Sequence, residues 1–95
     1  MDNEIFISRA VDMVVEYYFY AVQTGLKLIE NMPKDADIHR SSVYVVWSCK
    51  TLQNNKALLS TPFDDTRYFE VTYNGDKKEF YLDCYVKENN IVKGI

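Results

Sequence analysis

The spacing of apolar residues changes once along the chain, near residue 42. From Glu4 to Asn31, apolar side chains recur every three or four positions, which is the period of a helix with buried faces. They form two neighbouring stripes: Phe6, Ala10, Met13, Val14, Tyr17, Ala21 and Leu28 in the first, and Ile7, Val11, Val15, Tyr18, Val22 and Ile29 in the second. Asp2 and Asn3 both suit the N-cap, and Pro33 closes the helical region because the residue before a proline avoids the helical conformation. The pattern therefore predicts a long N-terminal helix, which either continues to Asn31 or is interrupted or ended at Gly25, with Leu26 to Asn31 as a short continuation.

After a polar connection from Pro33 to Ser42, the apolar period becomes two, as it is in strands. The predicted strands are Val43–Lys50, Lys56–Thr61, Arg67–Tyr73 and Lys78–Lys87. The predicted connections are a turn at Gln53–Asn55, a longer loop with Pro62, Asp64 and Asp65, and a tight type I′ turn at Asn74-Gly75. Consecutive hairpins after a helix indicate an α+β fold, in which a long N-terminal helix packs on a four-stranded antiparallel β-meander. The length of 95 residues fits one domain, 1–95.

Alternation along the strands assigns their residues to two faces of the sheet. The face expected beneath the helix is almost wholly apolar: Val43, Val45, Trp47, Cys49, Phe69, Val71, Tyr73, Phe80, Leu82, Cys84 and Val86. The opposite face mixes aromatic and polar residues: Tyr44, Val46, Ser48, Lys50, Tyr68, Glu70, Thr72, Tyr81, Asp83 and Tyr85. The second face has the composition of a surface that meets a partner, because tyrosine rings are both large and amphipathic.

Two interpretations of this tyrosine-bearing face remain open. In the first, Tyr44, Tyr68, Tyr81 and Tyr85 bind a partner, with Asp64 and Asp65 at the rim of the contact. In the second, the face is an ordinary solvated sheet, since tyrosine is common on exposed strands and scattered surface aromatics need no special explanation.

The helix has apolar residues on more than one side, because Tyr17 to Tyr20 point in every direction at one level. Either the C-terminal residues Ile91, Val92 and Ile95 cover the second stripe, or a second copy of the chain does. We expect a homodimer, with Tyr18, Phe19 and Val22 in the contact, because two-fold dimers commonly bury self-complementary apolar patches.

Composition and motifs exclude several classes of function. The net charge of −3 argues against binding of long nucleic acids, and no apolar run reaches the roughly 18 residues of a membrane span. His39 is the only histidine, and Cys49 and Cys84 fall on positions expected to be buried, so no metal site or catalytic thiol is predicted. The three glycines stand far apart and form no phosphate loop. We expect no enzyme activity and no cofactor.

Two blocks of the chain resemble a family of short proteins of uncharacterised function encoded by bacteriophages and prophages. They are VYVVWSCKTLQNNKALLST (Val43 to Thr61) and YFEVTYNGDKKEFYLDCY (Tyr68 to Tyr85), which carry the β-hairpins. The resemblance implies a phage accessory protein in the cytoplasm of a bacterial host, and it brings no catalytic motif.

These expectations lead to three hypotheses of function. The first is a non-enzymatic protein-binding module, which would inhibit a bacterial host or defence protein. The second is an oligomer that binds a small ligand or nucleotide, whose aromatic rings stack on a base. The third is a structural subunit of the virion.

Overall fold

The computed structural model describes residues 1–23 and 39–94, without the side chains of Val22 and Gln23. It contains a helix, α1 (Asn3–Gln23), a single 3-10 turn (Arg40–Ser42) and four strands, β1 (Tyr44–Thr51), β2 (Asn54–Thr61), β3 (Asp64–Asn74) and β4 (Glu79–Val86). The strands form one antiparallel sheet in the order β1-β2-β3-β4, and α1 packs against it. The predicted α+β architecture is therefore confirmed. The predicted helical residues 24–31 and residues 33–38 of the predicted connection lie outside the described part of the chain.

The helix begins where the sequence predicts it. The Asp2 carboxylate accepts a hydrogen bond from the backbone N–H of Glu4 at 2.7 Å, so it satisfies a donor that the first turn leaves without a partner. The buried side chains of the helix are Phe6, Ala10, Val11, Val14, Tyr18 and Ala21. Tyr18 belongs to the second predicted stripe, and it joins the first because successive steps of four residues turn the stripe slowly around a helix of 3.6 residues per turn.

The hydrophobic core lies between α1 and the two central strands, β2 and β3. From the sheet, Ala57, Leu59, Phe69 and Val71 are fully buried. The Phe69 ring meets Tyr17 and Tyr18 edge to face, with centroids 5.1 and 5.4 Å apart. Burial of each large side chain stabilises the fold by about 1.5–3 kcal/mol. Because α1 covers the centre of the sheet, every residue of the edge strand β1 is exposed.

The first two hairpin loops are shorter than predicted. Thr51 pairs with Asn54, so the β1–β2 loop is Leu52–Gln53 rather than Gln53–Asn55, and Leu52 takes a left-handed φ of 55°. Such a φ is costly for leucine, which has a Cβ. The strand β2 therefore starts two residues earlier than the alternation indicates.

The second loop consists only of Pro62 and Phe63, because Thr61 pairs with Asp64. The prediction of a longer loop containing Asp64 and Asp65 was wrong, since both residues lie in β3. Their polar side chains resemble loop residues in the sequence, but the backbone pairs across the sheet.

The third loop is longer than predicted. Asn74 pairs with Glu79, so residues 75–78 form a four-residue loop instead of a two-residue type I′ turn. The Asn74 side-chain oxygen accepts hydrogen bonds from two backbone N–H groups of the loop, at 3.0 and 3.1 Å. The left-handed residue is Lys78, with a φ of 56°, at the end of the loop.

Gly75 is required by a close approach between two loops. A Cβ at this position would lie 2.3 Å from the carbonyl oxygen of Gln53 and 2.5 Å from its Cβ. The Gly75 N–H donates to the Asn54 side chain at 3.1 Å, which holds the β1–β2 and β3–β4 loops together.

Candidate protein-binding face

The sheet face opposite α1, called the open face below, is defined by the register of the four strands. Residues directly opposite each other in paired strands share a face. Two rows cross the whole open face: Cys49, Lys56, Thr72 and Tyr81 in one, and Trp47, Leu58, Glu70 and Asp83 in the next. The Tyr68–Tyr85 pair and Tyr44, which lies opposite Ser60, continue the face towards its other end.

An extra residue in β1 reverses part of the predicted alternation. Val45 pairs with Leu59 and Trp47 with Leu58, so Val46 has no partner of its own and forms a β-bulge. Trp47 and Cys49, which were predicted beneath the helix, therefore lie on the open face. Ser48 and Lys50 were predicted on the open face and lie on the helix side, where they pair with Ala57 and Asn55.

The bulge gives the open face an aromatic residue that the sequence interpretation missed. Trp47 is 41% exposed and joins the predicted tyrosines Tyr44, Tyr81 and Tyr85, which are 45%, 40% and 51% exposed. The predicted Tyr68 is half-buried and pairs with Tyr85 across β3 and β4. No pattern in the sequence marked the bulge, because the residues on both sides of it are apolar and suit either face.

A shallow groove of about 360 Å³ crosses one end of the open face. Its lining includes the row Cys49, Lys56, Thr72 and Tyr81, together with Thr51, Asn54, Asn55 and Asn74. The side-chain oxygens of Asn54 and Asn74 accept backbone hydrogen bonds from the β3–β4 loop. The groove therefore combines one ammonium group, amide and hydroxyl groups, a thiol and an aromatic ring.

Charged groups on the open face are mostly acidic. The Lys56 Nζ lies 3.4 Å from a Glu70 carboxylate oxygen, which makes a half-buried ion pair. Glu70 is also directly opposite Asp83 on β4. At the edge, the Tyr81 hydroxyl donates a hydrogen bond to the Glu79 carboxylate, and this bond to a neighbouring acid raises the pKa of Tyr81.

The predicted rim residues Asp64 and Asp65 lie in different environments. Asp65 is exposed, whereas the Asp64 side chain is only 1% exposed and faces the helix. The Asp64 carboxylate accepts hydrogen bonds from the Tyr18 hydroxyl at 2.9 Å, the Arg67 Nε–H at 3.0 Å and the Thr66 hydroxyl at 3.1 Å. Asp64 therefore ties β3 to α1, where a partner could not reach it.

Tyr18 is a structural residue in this network. Its ring is fully buried against Phe63 and Phe69, with centroids 5.1 and 5.4 Å away. Burial raises the pKa of the Tyr18 hydroxyl above its usual value of 10, and the neighbouring Asp64 carboxylate raises this pKa further. The phenol therefore stays protonated and keeps donating its hydrogen bond to Asp64.

Three residues were predicted for self-association, and one of them is exposed on the described surface. Phe19 is 42% exposed, Tyr18 is buried, and the side chain of Val22 lies outside the described residues. The C-terminal segment was the alternative cover for the helix. Its described apolar residues Ile91 and Val92 do not cover the helix, since they are 82% and 87% exposed. The remaining residue of that prediction, Ile95, lies outside the described part of the chain.

Both cysteines are free thiols and both are exposed, so their predicted burial was wrong. Cys49 is on the open face because of the bulge. Cys84 faces the helix side as predicted, but it lies on the edge strand β4, where its Sγ accepts a hydrogen bond from Arg67 at 3.5 Å.

Two further observations concern only the described part of the chain. Within residues 1–23 and 39–94, no three histidine, cysteine, aspartate or glutamate side chains are grouped closely enough to hold a metal ion. In the same residues, no helix has the length and apolar character needed to cross a membrane.

Comparison with known protein families yields a match over most of the chain. The sequence model of a protein family described as "Family of unknown function (DUF6275)" matches residues 7–94, which include most of α1 and all four strands. No curated protein and no solved structure matches the chain.

Proposed function

Since the chain belongs to the DUF6275 family, whose description names no activity, we propose from the geometry that the protein is a non-enzymatic protein-binding module. In this proposal the open face receives the partner. The observation that carries it is the exposure of Trp47 together with Tyr44, Tyr81 and Tyr85 on one face of the sheet. Tryptophan and tyrosine are the residues most enriched at interface positions that dominate binding energy.

The arrangement of these rings favours a protein partner over simple solvation. Trp47 and Tyr81 lie in adjacent rows, on the two edge strands, and Tyr85 lies two residues after Asp83 on β4. Several large rings on a rigid sheet lose little conformational entropy when a partner covers them. Truncation of such a residue typically costs about 2 kcal/mol or more of binding free energy when it lies at the centre of an interface.

The setting of the partner is part of the same proposal. The resemblance of the two hairpin blocks to phage and prophage proteins supports a phage accessory protein that acts in the cytoplasm of a bacterial host. The partner would then be a host or phage protein, and blockage of a host or defence protein would be the outcome of binding.

The test is capture of a partner from a bacterial lysate with the immobilised protein as bait. We expect the wild type to retain a specific protein and a Trp47→Ser, Tyr81→Ser, Tyr85→Ser variant to lose it. An Ile5→Ser, Ile91→Ser, Val92→Ser variant is the matched control, because all three are exposed apolar side chains outside the strands that form the open face. Equal capture by the aromatic variant, with its melting temperature unchanged, would refute the proposal.

The groove supports a second candidate function, the binding of a small ligand such as a nucleotide. Tyr81 would stack on a base or another flat ring, and Lys56 would attract an anionic group. A thermal-shift screen with nucleotides tests this, because a ligand that binds only the folded chain raises the melting temperature. A shift that Lys56→Met and Tyr81→Ser both remove would favour this function over the first.

Self-association stays a prediction. Phe19 is the exposed residue through which a homodimer contact can be tested. Sedimentation velocity of the wild type and of Phe19→Ser would show a shift from dimer to monomer if the contact exists, and a monomeric wild type would contradict it.

A further inference from the structure

Charged residues of the strands are distributed unevenly between the two faces of the sheet, and the acids outnumber the cations on the open face. The register places Lys50 and Arg67 on the helix side, opposite Asn55 and Val86. Arg67 is already paired there with the buried Asp64 at 3.0 Å. The rows of the open face contain Lys56 as their only cation, against the carboxylates of Glu70 and Asp83, and Glu79 adds a third acid at the β4 edge.

Glu70 and Asp83 form a cross-strand pair of like charge. They are directly opposite each other, in a position where like charges destabilise a sheet. Lys56 offsets only Glu70, at 3.4 Å. Asp83 has no ion-pair partner anywhere in residues 1–23 and 39–94. The isolated chain therefore carries an electrostatic cost at the centre of its aromatic face, and a cation from outside would relieve it.

Aromatic rings flank this acidic pair on three sides. Tyr81 and Tyr85 lie two residues before and after Asp83 on the same face of β4, and Trp47 lies in the same row across the sheet. All three are at least 40% exposed. A guanidinium group pairs with carboxylates through two parallel hydrogen bonds and also stacks on aromatic rings, which a phosphate or a carboxylate cannot do.

We infer that the open face binds a basic protein surface, with arginine side chains of the partner over Glu70 and Asp83 and between the flanking rings. This inference rests on the proposed function, which it makes specific. The same charges disfavour a nucleic acid, whose phosphates the carboxylates repel, and a second copy of the chain docked face to face, which would bring like charges together.

The direct test is titration of the full chain with a tryptophan-free peptide of alternating arginine and serine. Trp47 is the only tryptophan, so its fluorescence reports contact with the face. A peptide with glutamate in place of arginine is the control ligand. We expect saturable binding of the arginine peptide alone, and roughly tenfold weaker binding when salt is raised from about 0.05 to about 0.5 M. Equal binding of both peptides, or no saturable change in the Trp47 signal with either, would overturn the inference.

Two variants of the protein distinguish binding at the Glu70–Asp83 pair from general attraction of the arginine peptide to an acidic protein. Glu70→Gln with Asp83→Asn removes the carboxylate pair, and Asp76→Asn with Glu88→Gln makes the same change in net charge at exposed positions outside the rows of the open face. We expect the first variant to bind the arginine peptide roughly tenfold more weakly and the second to match the wild type. Equal weakening by both variants would show attraction to net charge alone and would also overturn the inference.

The lysate experiment distinguishes this failure from failure of the proposed function. Suppose that the aromatic variant loses capture, while Glu70→Gln with Asp83→Asn retains it at low and high salt. The proposed protein-binding function would then stand, but its partner would not be basic. If both variants lose capture, and lowering the salt restores it in neither of them, the result agrees with the inference. A captured species that nuclease treatment removes would contradict both proposals.

Discussion

Replacement of Tyr18 by phenylalanine isolates one hydrogen bond in the centre of the fold. Phenylalanine keeps the ring that packs against Phe63 and Phe69, but it cannot donate to the Asp64 carboxylate, which accepts the Tyr18 hydroxyl at 2.9 Å. The carboxylate retains its bonds from Arg67 and Thr66. A hydrogen bond to a charged group contributes about 1.5–3 kcal/mol, so we expect Tyr18→Phe to lower the free energy of unfolding by that amount.

Urea unfolding and calorimetry measure this effect. For a domain of this size, a loss of about 1.5–3 kcal/mol lowers the melting temperature by roughly 6 to 24 °C. Tyr85→Phe is the matched control, because it removes the hydroxyl of a half-exposed tyrosine on the open face and should change stability by less than about 0.5 kcal/mol.

The difference in stability between the wild type and Tyr18→Phe should also depend on pH. Because the pKa of Tyr18 in the folded chain is raised above its usual value of 10, the stability it contributes is fully present below about pH 10. It is lost as the pH rises through the raised pKa, since the unfolded chain ionises first. The difference in unfolding free energy between wild type and Tyr18→Phe should therefore shrink above about pH 10, by up to about 1.4 kcal/mol per pH unit.

Two results would refute this reasoning. One is a Tyr18→Phe variant as stable as Tyr85→Phe at neutral pH, which would mean that the buried phenol and carboxylate are not bonded. The other is a difference between wild type and Tyr18→Phe that stays constant from neutral pH to about pH 11, which would mean that Tyr18 ionises equally easily in both states.

Three further predictions follow from local geometry. Gly75→Ala should destabilise the fold by about 1–3 kcal/mol in urea unfolding, because its Cβ would lie 2.3 Å from a carbonyl oxygen of the β1–β2 loop, whereas Gly94→Ala, with nothing within 4 Å, should be neutral. Asp2→Ala should cost about 1 kcal/mol through loss of the helix cap, seen as reduced helical circular dichroism and a lower melting temperature; an unchanged melting temperature would contradict the cap. Cys49 and Cys84 should both react with a thiol reagent in the native protein, at rates within an order of magnitude of a free thiol, and protection of either until unfolding would contradict its exposure.

The spacing of apolar residues along the chain was sufficient to predict the helix and the four strands and their order. The helix period around Phe6 and Val14 and the alternation of β3 and β4 each depend on one buried face, and burial imposes the same spacing on any sequence that folds this way. The predicted partner-binding residues Tyr44, Tyr81 and Tyr85 are exposed, as alternation predicts. Each lies next to residues whose side chains face the helix, so its own side chain faces the opposite side of the sheet. The helix cap was predicted to lie at Asp2 or Asn3, because capping is a local hydrogen bond within the first turn, and the structure assigns it to Asp2.

Residues whose position depends on contacts between distant parts of the chain were not predictable from such patterns. Trp47 and Cys49 changed faces because of one unpaired residue in β1, which shifts the register against β2 without any change in the type of side chain. Asp64 looks like a loop residue, yet it is buried because Tyr18, 46 positions earlier in the sequence, supplies a donor for it. Local spacing encodes which side chains share a face, whereas register and the pairing of buried polar groups arise from the packing of whole elements against each other.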